Sequence, residues 1–307
     1  MRTFVFTCLL LLGMTAFAQD ANFHIYLCLG QSNMEGNAKV EEQDTVAVDS
    51  RFQVLAAVDC PNLGRTKGNW YKAVPPLARC YTGLTPGDYF GRAMVANLPS
   101  NVQVGIINVA VGGCKIELFD KDNYQSYVET SPDWLKNMVK EYGGNPYARL
   151  VEMAKLAQKD GVIKGILMHQ GESNTNDKDW PSKVKGVYDN LLKDLGLSAA
   201  DVPLLAGEVV HADQNGICAS MNTIIDSLPQ VIPTAHVISS AGCPAAFDNL
   251  HFTAEGYRML GARYAAKMLS ILGYGDWTSA QNMKLWYARP ATGQFPFRRY
   301  GIWRNCP

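Results

Sequence analysis

The sequence predicts an α/β fold built on a parallel sheet with helices against both of its faces. Two patterns predict the architecture. Short apolar runs of strand length alternate with longer segments of helical period, as βαβ units require. The runs are largely apolar throughout, as strands buried on both faces are. A third observation concerns placement: the chemically interesting polar residues follow directly on the runs, at the carboxyl ends where such sheets bind ligands.

Taken in order, residues 23–29 (Phe-His-Ile-Tyr-Leu-Cys-Leu) read as the first strand, closed by Gly30. Residues 103–109 form the second, ending near Gly112 and Gly113. Residues 162–168 form the third and end at Gly171. Residues 202–210 and 235–239 supply a fourth and a fifth. Helical patterns cover 89–97, 146–159, 181–195 and 219–228. A last helix opens at Thr253, a good N-cap, and reaches about Leu272. Residues 36–86 fit neither pattern. They are rich in Gly, Pro, Asn and Asp, and a connection this long is either functional or poorly ordered. No internal repeat or low-complexity tract is visible.

Composition bounds the function. The chain has 307 residues, enough for one large α/β domain, and its 47% hydrophobic and 18% charged content can fill a core. Lys+Arg and Asp+Glu stand at 28 each, so the basic excess of a nucleic-acid binder is missing and no nucleic-acid partner is expected. At the N-terminus, Arg2 precedes an apolar stretch over 4–17, and Ala16-Phe17-Ala18 supplies the small-x-small pattern of a cleavage site. Residues 1–18 therefore read as a secretory signal peptide cut after Ala18, which places the mature protein outside the cytoplasm, secreted or periplasmic. No later stretch reaches the ~18 apolar residues of a bilayer span, so no membrane partner is expected. The chain then divides into the leader, a main domain over 19–275 and a C-terminal extension over 276–307.

Cysteine usage agrees with export. Cys8 leaves with the leader, and seven remain, so at least one is unpaired within the chain. Cys28 lies inside an apolar run and reads as a buried small hydrophobe. Cys60 with Cys80, and Cys218 with Cys243, are candidate loop disulfides. No cysteine or histidine spacing resembles a metal site, and no metal or cofactor is expected.

Three segments carry chemistry. Gly30-Gln31-Ser32-Asn33-Met34 places a serine on a tight turn at a strand end. A lone serine there is usually a helix cap. Asp248-Asn249-Leu250-His251 sets a carboxylate three residues before an imidazole, the pair that activates a hydroxyl. Taken alone, the two read as a surface aspartate and a histidine satisfied by a backbone carbonyl. His169-Gln170-Gly171-Glu172-Ser173-Asn174 offers amides that can donate to a developing oxyanion. Gly112 or Gly113 can add a backbone N–H with no side chain in the way. Here Gln170 is the expected side-chain donor and Asn174 the alternative. Ionised Glu172 cannot donate, so it is assigned an orienting role beside His169.

Together these blocks resemble the SGNH/GDSL hydrolase superfamily, specifically carbohydrate esterase family 6 and the sialate O-acetylesterase-like group. The matching residues are Gly30-Gln31-Ser32-Asn33, Val111-Gly112-Gly113, His169-Gln170-Gly171-Glu172 and Asp248-x-x-His251, with Phe252-Thr253-x-Glu255-Gly256-Tyr257 beside them. The likeness spans residues 22–272. It implies a flavodoxin-like three-layer α/β/α sandwich with a central parallel sheet. It implies Ser32 as nucleophile, His251 as general base and Asp248 as its orienting acid. The oxyanion hole would draw on the Ser32 amide, Gly112 or Gly113, and a third-block side chain. Gln31 and Asn33 would support the site or touch substrate. The superfamily usually offers Gly-x-Asn in the third block, whereas this chain has Gln-Gly-Glu-Ser-Asn, which leaves the donor open between Gln170 and Asn174.

The resemblance and the leader imply an acetylated carbohydrate substrate, with acetylxylan first and an O-acetylated sialic acid second. A carboxylate-bearing sialoside would call for an arginine near Ser32. Trp70, Tyr71 and Tyr81 in the long connection are candidates for stacking on sugar rings. A non-catalytic carbohydrate-binding protein on an esterase scaffold is the alternative from another class. In the tail, Met283-Lys284-Leu285-Trp286-Tyr287-x-Arg289-Pro290-Ala291 is similar to the opening of bacterial α-L-fucosidases of glycoside hydrolase family 95, over that short segment alone.

Overall fold

The computed structural model describes residues 19–275. The segments read as a leader and as a fucosidase-like tail, with Cys8 and Cys306, lie outside the described residues. Seven strands form one sheet: β1 (Asp20–Gly30), β2 (Phe52–Leu55), β3 (Trp70–Lys72), β4 (Gln103–Ala110), β5 (Gly161–His169), β6 (Leu204–Gly207) and β7 (Ala235–Ile238). Their order is β3-β2-β4-β1-β5-β6-β7, and every pairing is parallel except β2 with β3. Ten α-helices are described: α1 (Ser32–Glu35), α2 (Glu42–Thr45), α3 (Pro86–Asn97), α4 (Tyr124–Thr130), α5 (Asp133–Glu141), α6 (Pro146–Ala157), α7 (Trp180–Leu195), α8 (Asn222–Ile225), α9 (Leu228–Val231) and α10 (Ala254–Ile271).

Successive side chains of a strand point to opposite faces, so a strand apolar throughout serves two cores. In β1, Ile25, Leu27 and Leu29 join one cluster with Leu150 and Met153 of α6 and Val184 and Leu191 of α7. Tyr26 and Cys28 join the other, with Phe90 and Met94 of α3 and Leu260 and Tyr264 of α10. The expected α/β/α layering is thus present, and Cys28 is the buried hydrophobe expected of it. Close approach of α10 to α3 needs Gly261, because a Cβ there would stand 2.3 Å from the carbonyl oxygen of Pro86.

All five expected strands and the helices α3, α6, α7 and α10 are present, with shifted ends. The start of α3 lies at Pro86 rather than 89, because Thr85 and Asp88 form a reciprocal cap around a proline in the first turn. Thr253 caps α10 as expected, its Oγ1 accepting from Gly256 N at 3.1 Å. The helix expected over 219–228 is broken into α8 and α9. Ser227 Oγ donates back to Ile224 O at 2.7 Å, and Pro229, lacking an N–H, sits in the first turn of the next helix. Residues 36–86 are the largest departure. They contain α2 and add β2 and β3 to the sheet.

Cys60 and Cys80 form the expected disulfide within that segment. Cys218 and Cys243 do not pair. Cys243 is closed inside the apolar cluster on the α3 and α10 face, and the Cys218 thiol lies 3.8 Å from Glu172 O.

Candidate active site

Register brings the three blocks to one edge. Gly30 at the end of β1 pairs with Ala110 of β4 on one side and His169 of β5 on the other. The chains leaving these three neighbours carry Ser32, Gly112 and Glu172. Gly30 is required at the crossing. Its φ is +149°, and a Cβ would fall 2.0 Å from His169 O. Gln31 N donates to that same carbonyl at 3.0 Å, which turns the chain sharply into α1.

The loop before α10 delivers the partners. Ser32 Oγ lies 2.8 Å from His251 Nε2, and His251 Nδ1 lies 2.7 Å from Asp248 Oδ2. The other oxygen of Asp248 accepts from the amides of Leu250 and His251, both at 3.0 Å. Asn249 adopts φ +53°, a conformation Asn tolerates, and this folds Asp248 back onto His251. Burial pushes the Asp248 carboxyl upward. The two amides and the imidazole outweigh it and hold the group below the usual carboxylate range.

Asn33 ties serine turn and histidine loop together. It is fully buried, its Nδ2 donating to Glu172 Oε1 at 2.5 Å and Leu250 O at 3.1 Å. Its Oδ1 accepts from Tyr257 Oη at 2.6 Å and Phe252 N at 3.4 Å. His169 stands behind, 3.6 Å from Glu172 Oε1 and edge-on to Phe252. Burial alone would raise Glu172. His169 and Asn33 reverse that and leave it below its ordinary value. Asn33, His169 and Glu172 thus stand behind the serine turn and the histidine loop.

The donor expected in the third block needs correction. Gln170 is fully buried, and its Nε2 is spent on Gln31 Oε1 at 3.1 Å, Cys114 O at 3.3 Å and Asn174 Oδ1 at 2.7 Å. Its Oε1 accepts from Trp180 Nε1. Asn174 is turned away too, donating to Glu117 and Asp177. Neither lines the cavity beside Ser32, whereas Gln31 does. Gln31 Oε1 is held by Ser173 N at 3.2 Å and by Gln170. Its Nε2 donates to no acceptor among the described residues. The same holds for the backbone N–H of Ser32 and of Gly112. Gly112 is also sterically fixed, since a Cβ there would lie 2.8 Å from Glu35 Oε2.

The cavity has a volume of about 490 Å³. Ser32, Gln31 and His251 line it, with Gly112 and Gly113 beside them. One wall is Arg79, Tyr81 and Thr82, and another is Trp134, Met138 and Glu141 of α5. Arg79 binds Glu35 and Glu141 together, bridging the two walls.

A family model described as carbohydrate esterase, sialic acid-specific acetylesterase, matches residues 22–270. The chain belongs to this family. It is a carbohydrate acetylesterase, a carboxylic-ester hydrolase whose substrate is an acetylated carbohydrate. It is similar to “Probable carbohydrate esterase At4g34215” of Arabidopsis thaliana, 26% identical over 262 residues, 80% of this chain and 90% of that protein. The solved structure of that protein matches with a TM-score of 0.62 at 22% identity, over 80% of this chain and 98% of the other. NanS matches with a TM-score of 0.60 at 14% identity, over 84% and 99%. XAC1771 of Xanthomonas citri, a carbohydrate acetylesterase, matches with a TM-score of 0.56 at 17% identity, over 80% and 56%. At these identities the structural likenesses carry the fold, which is the SGNH-type sandwich expected from the four blocks.

Of the three loop aromatics, Tyr81 alone reaches the acetylesterase cavity. Trp70 packs on Phe23 at 4.7 Å between ring centres and donates to Asp160, while Tyr71 Oη accepts from Thr66 N. The wall contributed by α5 was not foreseen. Pro132-Asp133 before an apolar i, i+4 pair, Leu135 and Val139, is the local signal that marks a helix there. No described helix is long and apolar enough to cross a membrane.

Proposed function

We propose that the chain removes O-acetyl groups from a neutral glycan, acetylxylan before others, through a Ser32–His251–Asp248 triad. The observation that carries this reading is the continuous chain of contacts from Ser32 Oγ through His251 to Asp248, 2.8 and 2.7 Å long, opening into a cavity. Ser32 Oγ attacks the acetyl carbonyl carbon as His251 Nε2 takes its proton. The sugar oxygen leaves with that proton, and an acetyl-serine remains. Water then attacks the acetyl-serine with His251 again as base, releasing acetate and restoring Ser32. Asp248 keeps the imidazole in the tautomer that presents a bare Nε2 and stabilises its cationic form.

The oxyanion hole consists of the Ser32 and Gly112 amides and the Gln31 side chain, three donors without protein acceptors around Ser32. Gln31 replaces Gln170 in this role. Gln31→Met keeps the volume and removes the donor, so kcat should fall roughly 10²–10³-fold with little change in KM. Steady-state kinetics on a chromogenic acetate ester check this, and unchanged kcat would remove Gln31 from the hole.

Charge favours a neutral sugar. Among the described residues Arg79 is the one permanent cation lining the cavity, and Glu35 and Glu141 already occupy it. A sialate carboxylate would need a free cation and would meet Glu35, Glu141 and Glu172 instead. The family description favours the second reading, a sialate O-acetylesterase. Acetate release from acetylxylan and from an O-acetylated sialoside, compared at equal ester concentration, separates them. Faster release from acetylxylan is expected. Preference for the sialoside would overturn the neutral-glycan reading, and binding of either glycan with no acetate release would leave a carbohydrate-binding protein. The leader-like N-terminus fits an enzyme that meets polysaccharide outside the cell.

A further inference from the structure

Two large aromatic side chains stand uncovered at the cavity. Trp134 is 54% exposed and Tyr81 is 87% exposed, although both line it. Burying side chains of this size is favourable, so exposed ring faces concentrated at one cavity mark a surface that a ligand covers. Neither ring stacks on another aromatic among the described residues.

Both rings are nevertheless held by fixed backbone. Trp134 lies in the first turn of α5, whose Leu135 and Val139 are anchored in the core, which leaves Trp134, Met138 and Glu141 on the cavity side. Its indole lies against Gly113. A Cβ at that glycine would come within 2.6 Å of the ring, so the indole sits directly on the loop that carries the Gly112 amide. Tyr81 follows Cys80, which is tied to Cys60, and Arg79, which is tied to Glu35 and Glu141. Aromatic faces carried on anchored backbone at the mouth, with a neutralised cation between their supports, suit the C–H face of an uncharged sugar ring.

We propose that Trp134 and Tyr81 are the sugar-binding residues of this cavity. Trp134 would stack on the acetylated ring itself and Tyr81 on a neighbouring ring of a neutral oligosaccharide. The inference rests on the esterase reading for its substrate, but binding can be measured apart from turnover.

The test uses Trp134→Ala, Trp134→Phe and Tyr81→Ala in the full chain. Binding of unacetylated xylotetraose is followed by titration calorimetry, and hydrolysis is followed with 4-nitrophenyl acetate and with acetylated xylo-oligosaccharide. Each alanine variant should weaken xylotetraose binding by roughly tenfold or more and raise KM for the acetylated oligosaccharide in step. Hydrolysis of 4-nitrophenyl acetate, which offers no sugar ring, should fall by much less than hydrolysis of the acetylated oligosaccharide, and Trp134→Phe should restore most of the binding. Unchanged xylotetraose affinity in both alanine variants would overturn the proposal. So would a parallel loss on both esters, which would make Trp134 a prop for the Gly113 loop. Failure of the wild type to release acetate while its xylotetraose binding still depends on Trp134 would sink the esterase reading and leave this one standing.

Discussion

Ser32→Ala is expected to lower kcat for ester hydrolysis by roughly four to six orders of magnitude, with KM nearly unchanged. The hydroxyl is the atom that forms the covalent bond in the proposed reaction, and no neighbouring group is placed to replace it. Among the described residues the side chain makes one hydrogen bond, to His251, so the fold has little to lose. Thermal unfolding of the variant should therefore overlay the wild type, as for most substitutions outside the core. A variant that melts normally and still turns over at the wild-type rate would remove Ser32 from the chemistry. One that unfolds would instead assign the residue to structure.

Asp248→Asn should cost about 10⁴-fold in kcat, the magnitude seen when the same change is made in other serine triads. The reasoning is local. The native carboxylate accepts from three donors, the Leu250 and His251 amides on one oxygen and the imidazole on the other. An asparagine satisfies the two amides only by turning its carbonyl oxygen toward them, and its NH₂ then faces Nδ1. That nitrogen must now accept, so the ring proton moves to Nε2, and the base facing Ser32 is lost. Both the amide contacts and the size of the side chain are preserved, so stability should change little. Kinetics beside a melting curve decide the matter: wild-type turnover would show that Asp248 merely shapes the turn.

What could be seen in the sequence was whatever depends on short-range pattern. Ser32 follows a glycine at a strand end, and Asp248 and His251 share one turn, so their placement needs only the strand order and the position of α10. Thr253 announced that helix by its capping chemistry. The side-chain donor proposed here, Gln31, is hidden for a different reason. Gln31 and Gln170 are chemically identical amides on adjacent strand ends, and sequence cannot tell which one faces outward. Trp180 decides it, because its indole N–H holds the Gln170 carbonyl inside the protein.

Non-local pairing hid the rest. β2 and β3 are four and three residues long and sit among turn formers, and they are held by pairing, β2 with β4 and β3 with β2, rather than by their own pattern. Trp134 belongs to none of the sequence motifs. Its membership of the cavity follows from how α5 lies across Gly113, which no spacing reports. Among the cysteines, 60 and 80 meet because β2 and β3 return the chain on itself, while 218 and 243 are kept apart by packing on different neighbours.

The most direct measurement of the central claim is covalent labelling with a fluorophosphonate, which transfers its phosphonyl group to an activated serine oxygen with loss of fluoride. Peptide mass spectrometry then locates the adduct. One label per chain on Ser32, formed in step with the loss of esterase activity, slowed in Asp248→Asn and absent from Ser32→Ala, is the expected result. Complete inactivation with the label on another residue, or continued hydrolysis by a chain fully labelled at Ser32, would contradict it.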